Sequence, residues 1–295
     1  MRSEEQKVHL VDGTYELFRC FFGAPSYKNK MGREVGAARG LFRSLAAWLR
    51  AGEVTHVGCA FDYVIESFRN DLFDGYKTGV GIDPNLYGQF RLAEEVTEAL
   101  GITTWRMMEF EADDAIATAA ARFSKSKQVT KVLLCSPDKD LAQCVEGDRV
   151  VLWDRRNQLA LNDKGVREKF GVPPELIPDL LALVGDPADG IPGIPRWGMK
   201  SAAAALAAHG PLEKIPSNAT DWKIKIRGAD ALAESLSKQK RAALLYKQLA
   251  TLRFDVPLLE KLADLEWKGG DKRALEKLSV ELADEKLLSR LEKFQ

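Results

Sequence analysis

"KVHLVDG" (residues 7–13) is a short run of β-forming and apolar residues that halts on Asp12-Gly13. The design returns twice. "VTHVGCAFD" (54–62) is an apolar strand ending on Asp62, and "KVLLCSPD" (131–138) is a third, ending on Asp138. Between the first two, Leu41, Leu45, Trp48 and Leu49 are spaced for one face of a helix. Strands alternating with helices predict an α/β fold, a mostly parallel sheet flanked by helices. In such sheets ligands gather at the carboxyl ends of the strands, where these aspartates fall. A single strand-end aspartate is an ordinary turn former or helix cap, but three of them beside a further acidic cluster exceed what capping needs.

That cluster is "FEADDAIA" (110–117), with Glu111, Asp113 and Asp114 in one turn ahead of an alanine-rich run. On a helix Glu111 and Asp114 share a face, which makes them the better metal contacts, while Asp113 points aside and serves through water. A helix N-terminus favours each nearby anion by about 0.3–1 kcal/mol, too little for so many. Asp140 in "SPDKD" and Asp186 and Asp189 in "GDPADG" (185–190) complete a set of nine carboxylates with Asp12, Asp62 and Asp138. Protonation would relieve their repulsion but remove the charge that makes them useful, whereas divalent cations keep it. An all-oxygen set without histidine or cysteine fits a hard ion such as Mg²⁺. With room for two ions, the implied chemistry is displacement at phosphorus by activated water, on a substrate that carries phosphate.

Composition is neutral on partners. Lysine plus arginine equal aspartate plus glutamate at 43 each over 295 residues, so any nucleic-acid binding must come from local segregation of charge. Cys20, Cys59, Cys135 and Cys144 form no Cys-x-x-Cys pair, and Cys59 and Cys135 lie inside apolar runs, as expected of a reduced cytoplasmic protein. The opening "MRSEEQKVHLVDG" lacks signal-peptide character, and no apolar run is long enough for a membrane span.

"ESFRNDLFDGYKTGVGIDPNLYGQF" (66–90) is rich in glycine, aromatic and basic residues and is expected as an insertion above the sheet, with a plain solvated loop as the alternative. "RVVLWDRRNQLALN" (149–162) predicts a hairpin, followed by helices at 174–184, 198–208, 229–253 and 271–293, with a domain boundary near 165. The last helix should bury Leu275, Leu278, Leu282, Leu287 and Leu291. In "LVGDPADGIPGIPRWGMKSAAAAL" (183–206) a helix end, a glycine-proline turn and a new helix near Gly198 form an arrangement whose amides, with Arg196 and Lys200, could hold a DNA phosphate. A simple αα-corner explains the spacing nearly as well.

Together these segments resemble the bacterial 5′–3′ exonuclease family, related to flap endonucleases and to the N-terminal nuclease domain of DNA polymerase I. "LVDG", "FD" at 61–62, "SFR…GYK" at 67–77, "EADD", "SPDKDLAQ" and "LVGDPADGIPGI" occur in the family's order between about residues 7 and 260. The resemblance implies a PIN-like nuclease domain over 1–165, with an arch insertion at about 66–90. A helical DNA-binding region over 166–295 would carry a helix–three-turn–helix motif at about 180–208. It implies hydrolysis of phosphodiester bonds in duplex DNA bearing a free 5′ end, nick or 5′ flap, in DNA replication and repair, with two Mg²⁺ ions and Mn²⁺ as a substitute. Asp12, Asp62, Glu111, Asp113 and Asp114 match the first metal group, and Asp138, Asp140, Asp186 and Asp189 the second. Lys77 matches a basic arch residue beside the scissile phosphate, and Tyr76 a base-stacking position. Arg19 and Arg69 match phosphate contacts, and Gly193, Arg196, Gly198 and Lys200 fall in the hairpin.

Two departures stand out. "YKTGVGID" lacks the second arch cation, which leaves flap discrimination less certain than cleavage, and Arg196-Trp197-Gly198 replaces the family's Gly-Ile-Gly, which weakens the expectation of a K⁺ site on the turn carbonyls. The "PRWGMKSAAA" version is nonetheless similar to that of a subgroup of stand-alone exonucleases. The chain stops at Gln295 soon after the nuclease pattern ends, so a free-standing monomeric nuclease beside a separate DNA polymerase is expected. The rival readings are a non-catalytic, structure-specific DNA-binding protein on the same fold and a Mg²⁺-dependent phosphatase.

Overall fold

The computed structural model describes residues 6–295; the first five, where the opening stretch begins, lie outside the described residues. In chain order the elements are β1 (Gln6–Asp12), α1 (Gly13–Gly23), α2 (Gly36–Arg50), β2 (His56–Asp62), α3 (Phe68–Leu72), α4 (Pro84–Tyr87), α5 (Phe90–Ala99), β3 (Thr103–Met107), α6 (Ala112–Phe123) and β4 (Val129–Cys135). There follow β5 (Val150–Asp154), β6 (Leu159–Leu161), α7 (Asp163–Phe170), α8 (Ile177–Val184), α9 (Met199–His209), α10 (Ala229–Lys238), α11 (Lys240–Ala250) and α12 (Lys272–Glu281). They fall into two compact units that interleave along the chain. The first takes residues up to 65, then 79–136 and 254–295, and the second takes 66–78 and 137–253. A division at 165 would have made each part continuous. The units differ from it because the chain returns to the first unit after 253, and because 66–78, the first half of the expected arch, is built into the second.

The first unit is an α/β structure whose strands run parallel in the order β3-β2-β1-β4. Leu10 of β1 stands opposite Gly58 of β2 and Leu134 of β4, and Val8, Leu10, Val57, Cys59 and Leu134 are fully buried. Burial on both faces is why these strands appear in the sequence as unbroken apolar runs. The third strand, "TTWRM", was not expected, since it alternates over only five residues. It depends on Gly58, where a Cβ would lie 2.5 Å from the Trp105 ring, and on Glu260, whose carboxylate accepts the Trp105 indole N–H at 2.8 Å. The expected face of α2 is buried at Leu41, Leu45 and Leu49, and Trp48 meets His9 edge-on at 5.2 Å.

The C-terminal helix stops at Glu281 instead of running to 293. Ala283 takes a left-handed conformation (φ 48°), the Asp284 amide donates to Ser279 O at 2.9 Å, and the Ala283 amide donates to Val280 O at 3.2 Å. That is a Schellman closure made with alanine where glycine is usual, so no glycine marks the stop. It delivers the buried Asp284 carboxylate to Arg43 at 2.7 Å and Arg39 at 3.8 Å. Leu287 and Leu291 are buried as expected, from the turn beyond the helix.

In the second unit, β5 and β6 form the expected antiparallel hairpin, with Trp153 opposite Ala160. The helix expected over 229–253 is two, α10 and α11, broken at Gln239 (φ −117°, ψ 22°). Lys240 just past the break donates its ammonium to Leu212 O, which orients the start of α11.

Candidate metal centre

Each strand-end aspartate of the first unit is locked by a backbone or hydroxyl donor. Asp12 closes β1 and caps α1: Oδ1 accepts the Tyr15 amide at 2.8 Å and Oδ2 the Ser136 hydroxyl at 2.9 Å. Asp62 closes β2, and its Oδ1 accepts the amide of Ala112, the first residue of α6, at 2.8 Å. Asp114 Oδ2 reaches back to the Glu111 amide at 3.1 Å. Glu111 and Asp114 are buried, Asp114 completely, and Asp113 is half-buried. Asp62, Glu111 and Asp114 are thus joined through the head of α6, Asp12 closes the neighbouring strand, and part of their lone-pair capacity already serves as helix capping.

Three of the four acidic residues of the second unit converge on one point. One carboxylate oxygen each from Asp140, Asp186 and Asp189 lies within 4.8 Å of the others. Asp138 holds the loop that presents them, accepting the Asp140 amide at 2.9 Å. Asp140 and Asp186 are buried, and Asp140 Oδ1 accepts no hydrogen bond among the described residues. Burial first, then the charges of Asp138 and Asp189, push the Asp140 carboxyl well above the usual carboxylate range. Lys139, not singled out in the sequence although it stands between two of the aspartates, gives partial relief. Its ammonium hydrogen-bonds Asp186 Oδ2 and lies 3.8 Å from Asp140 Oδ1. Burial pulls this lysine down, but the Asp186 hydrogen bond and the surrounding carboxylates outweigh it and hold the ammonium above its ordinary value. Two ammonium groups, that of Lys139 and that of Lys77 beside Asp189, against four carboxylates still leave net negative charge and a buried oxygen without a donor. That donor set fits a hard divalent cation.

The loop that carries Asp186 and Asp189 is pinched shut, because Asp186 and Ile191 exchange both backbone hydrogen bonds at 2.8 Å. Gly190 (φ 73°) lets it approach the base of the arch segment, since a Cβ there would lie 2.1 Å from Gly75 O. Lys77 is fastened to the same loop: its amide donates to Asp189 O at 3.0 Å, and its ammonium lies 3.0 Å from Asp189 Oδ1. Gly190→Ala should therefore separate Lys77 from Asp189, lowering stability by about 2 kcal/mol or more. Denaturant unfolding measures this, and an unchanged midpoint would show that the close approach is dispensable.

Several expected nucleic-acid contacts have other roles. Tyr76 is only 4% exposed, so its ring is a packing element and offers no face for a base. Arg69 is 1% exposed and is no phosphate ligand: Nε donates to Leu249 O at 2.8 Å and Nη2 to Thr251 O at 3.2 Å, neutralising the C-terminal end of α11. Arg19 pairs with Glu16 and donates to Ser44 Oγ at 3.1 Å, with a third of its side chain exposed. In the hairpin, Gly193 (φ 72°) permits a backbone crossing, because a Cβ would lie 2.5 Å from the Gly185 amide nitrogen. Arg196 is exposed and adopts the left-handed conformation (φ 74°) that a glycine would take without cost. Gly198 opens α9, its amide donating to Ser201 Oγ at 3.1 Å, and Lys200 is exposed on the first turn.

A resolvase-like α/β domain carrying strand-end carboxylates, joined to a helical domain with a glycine-rich hairpin, is the architecture of a metal-dependent nuclease. Residues 7–171 match the model of the 5′-3′ exonuclease N-terminal resolvase-like domain, and residues 172–273 match that of the 5′-3′ exonuclease C-terminal SAM fold. The 5′-3′ exonuclease of Buchnera aphidicola is 35% identical over 84% of this chain and 82% of its own length. DNA polymerase I of Bacillus caldotenax is 33% identical over 98% of this chain, which spans about a third (32%) of that protein's length. The bacteriophage T5 flap endonuclease, solved as a complex with DNA and metal ions, superposes with a TM-score of 0.65 at 16% identity, covering 97% of this chain and 96% of its own. The chain belongs to the 5′-3′ exonuclease family. No helix among the described residues is long and apolar enough to cross a membrane.

Proposed function

We propose that the protein is a 5′–3′ nuclease that hydrolyses phosphodiester bonds of duplex DNA at a free 5′ end, nick or 5′ flap, and that it depends on Mg²⁺, with Mn²⁺ as a substitute. The observation that carries this reading is the Asp140-Asp186-Asp189 cluster with its undonated buried oxygen. A divalent ion held there supplies positive charge to activate water and to stabilise the departing oxygen. Asp140, Asp186 and Asp189 bind it, and Asp138 keeps the loop in shape. In the first unit Asp12, Asp62, Glu111, Asp113 and Asp114 are the ligands for another ion. Lys77, positioned by Asp189, places its ammonium for the charge that builds on phosphate. Arg196, Lys200 and the amides of the turn hold the duplex by its backbone, Arg196 taking over the role that K⁺ would have on that turn. Acting as a cytoplasmic monomer, the protein would pair with a DNA polymerase that fills what it removes.

Incubation of the protein with 5′-flap, nicked, blunt and single-stranded DNA, with Mg²⁺ or with EDTA, tests the reading. Product is expected only with metal and a 5′ terminus, and DNA binding without product at every metal concentration would leave the non-catalytic alternative. Lys77→Ala should lower kcat by about 10²-fold while barely altering DNA affinity. Unchanged turnover would remove Lys77 from the reaction.

A further inference from the structure

The second unit carries a basic segment that the hairpin motif does not include. In "WKIKIRG" (222–228), Lys223, Lys225 and Arg227 are exposed, while Ile224 and Ile226 between them are half-buried. The alternation turns all three cations outward along an irregular stretch that ends at Gly228, the cap of α10. None of the three takes part in an ion pair among the described residues, although nearby lysines do: Lys238 pairs with Glu234, and Lys247 with Asp179 and Glu213. Unpaired and exposed, they present charge with no partner inside the chain.

The segment is anchored beside the hairpin. Trp222, which begins it, is buried, with its ring centroid 6.0 Å from Trp197 and 6.2 Å from His209. Trp197 immediately precedes Gly198 at the head of α9, and His209 closes that helix. The Trp222 indole donates to Pro216 O at 2.9 Å, and the Trp197 indole donates to Leu232 O of α10 at 3.1 Å. Two tryptophans, each tied at its indole N–H, thus fix the start of the basic segment against the turn before α9, where Arg196 precedes the helix and Lys200 lies in its first turn. Lys223 is close enough to His209 for its charge to help depress the imidazole, after the larger effect of burial.

We propose that Lys223, Lys225 and Arg227 form a second phosphate-binding tract for duplex DNA, continuing the one begun by Arg196 and Lys200. This rests on the nuclease reading above. The row of unpaired cations lies on an irregular stretch, not on a helix or β-ribbon shaped to enter a groove and read base edges. Its complement is the sugar–phosphate backbone, bound without regard to sequence, and the overall charge balance of the chain leaves such local tracts as the source of attraction. The Trp197-Trp222 contact anchors the tract to a fixed surface, so little conformational freedom is lost on binding.

The test measures binding of a nicked duplex in Ca²⁺ across a salt series, for wild type, for K223Q/K225Q/R227Q, and for R196Q/K200Q. Each phosphate contact contributes about 0.9 to the slope of log K against log[salt], so the triple variant should lose about 2–3 from the slope and about 10–10³-fold in affinity at 0.1 M salt. Circular dichroism and thermal unfolding should match wild type, because the replaced groups are exposed. Wild-type slope and affinity in the triple variant would overturn the tract. If wild type itself neither binds nor cuts the nicked duplex, the nuclease reading fails; if wild type binds, R196Q/K200Q is impaired and the triple variant is not, only the tract fails. K223E/K225E/R227E should deepen the loss, and full affinity in that variant would likewise overturn the proposal.

Discussion

Asp140→Asn should cripple cleavage and at the same time make the metal-free protein more stable. The two effects have one cause. Asp140 is buried, its Oδ1 has no donor among the described residues, and the neighbouring Asp138, Asp186 and Asp189 all carry like charge. Lys139 offsets only part of that repulsion. An amide keeps the shape, removes the ionised group and adds a donor for Asp186 or Asp189. In EDTA the variant should therefore gain about 1–2 kcal/mol, the usual yield of relieving a strained functional site. With Mg²⁺ the order reverses: wild type should be stabilised in proportion to occupancy, by about 2.7 kcal/mol at a hundredfold excess over Kd, while the variant barely responds. Turnover should fall by at least about 10²-fold, more than the loss of a group that merely orients a ligand. Thermal unfolding with and without metal, beside single-turnover cleavage, measures all three. A variant that still cuts at the wild-type rate, or gains the same stability from Mg²⁺, would place the metal elsewhere.

The second large effect is structural. Arg69→Met should cost about 3–5 kcal/mol, because it leaves Leu249 O and Thr251 O without donors in a site that is 1% exposed. Methionine fills much of the volume, so the loss reports the hydrogen bonds and the charge at the end of α11 more than a cavity. Lysine in its place should recover only part, since an ammonium cannot reproduce the planar guanidinium fork. Urea unfolding gives the cost, and the salt dependence of DNA binding separates the two roles. A phosphate ligand would lower the slope by about 0.9 when lost, whereas the buried arginine should leave it unchanged. Full stability together with a shallower slope would return Arg69 to the DNA surface.

What could be read from the sequence follows the range of the interactions involved. β1, β2 and β4 were legible because a parallel strand covered on both faces is a local apolar run, and each of β1 and β2 finishes on an aspartate that the structure uses. The residue types of the candidate metal centre were legible as carboxylates dense along the chain, of which the structure brings Asp140, Asp186 and Asp189 together. Arg69 was not, because the carbonyl it serves belongs to a residue 180 positions later, and "SFR" gives no hint of it. Lys139 was visible but unweighted, as a lone cation among aspartates looks like ordinary charge mixing until its ammonium is found against Asp186. β3 escaped because its tryptophan depends on a glycine in β2 and a glutamate at 260. The end of α12 escaped because Ala283 closes it where glycine would have announced it.

The interleaving of the two units also sets an order of events during synthesis. Residues 137–253 can complete the second unit as soon as they emerge, since 66–78 is already made, but the first unit still lacks 254–295. Until those residues appear, Trp105 has no Glu260, the Trp267 indole has not reached Leu100 O, and Arg43 has no Asp284. The part translated first is finished only after the second unit, so a nascent chain spends the translation of 254–295 with its sheet incompletely covered. A premature stop near 253 would remove no complete domain and would instead release a chain whose second unit is whole and whose first unit is open to proteolysis and aggregation.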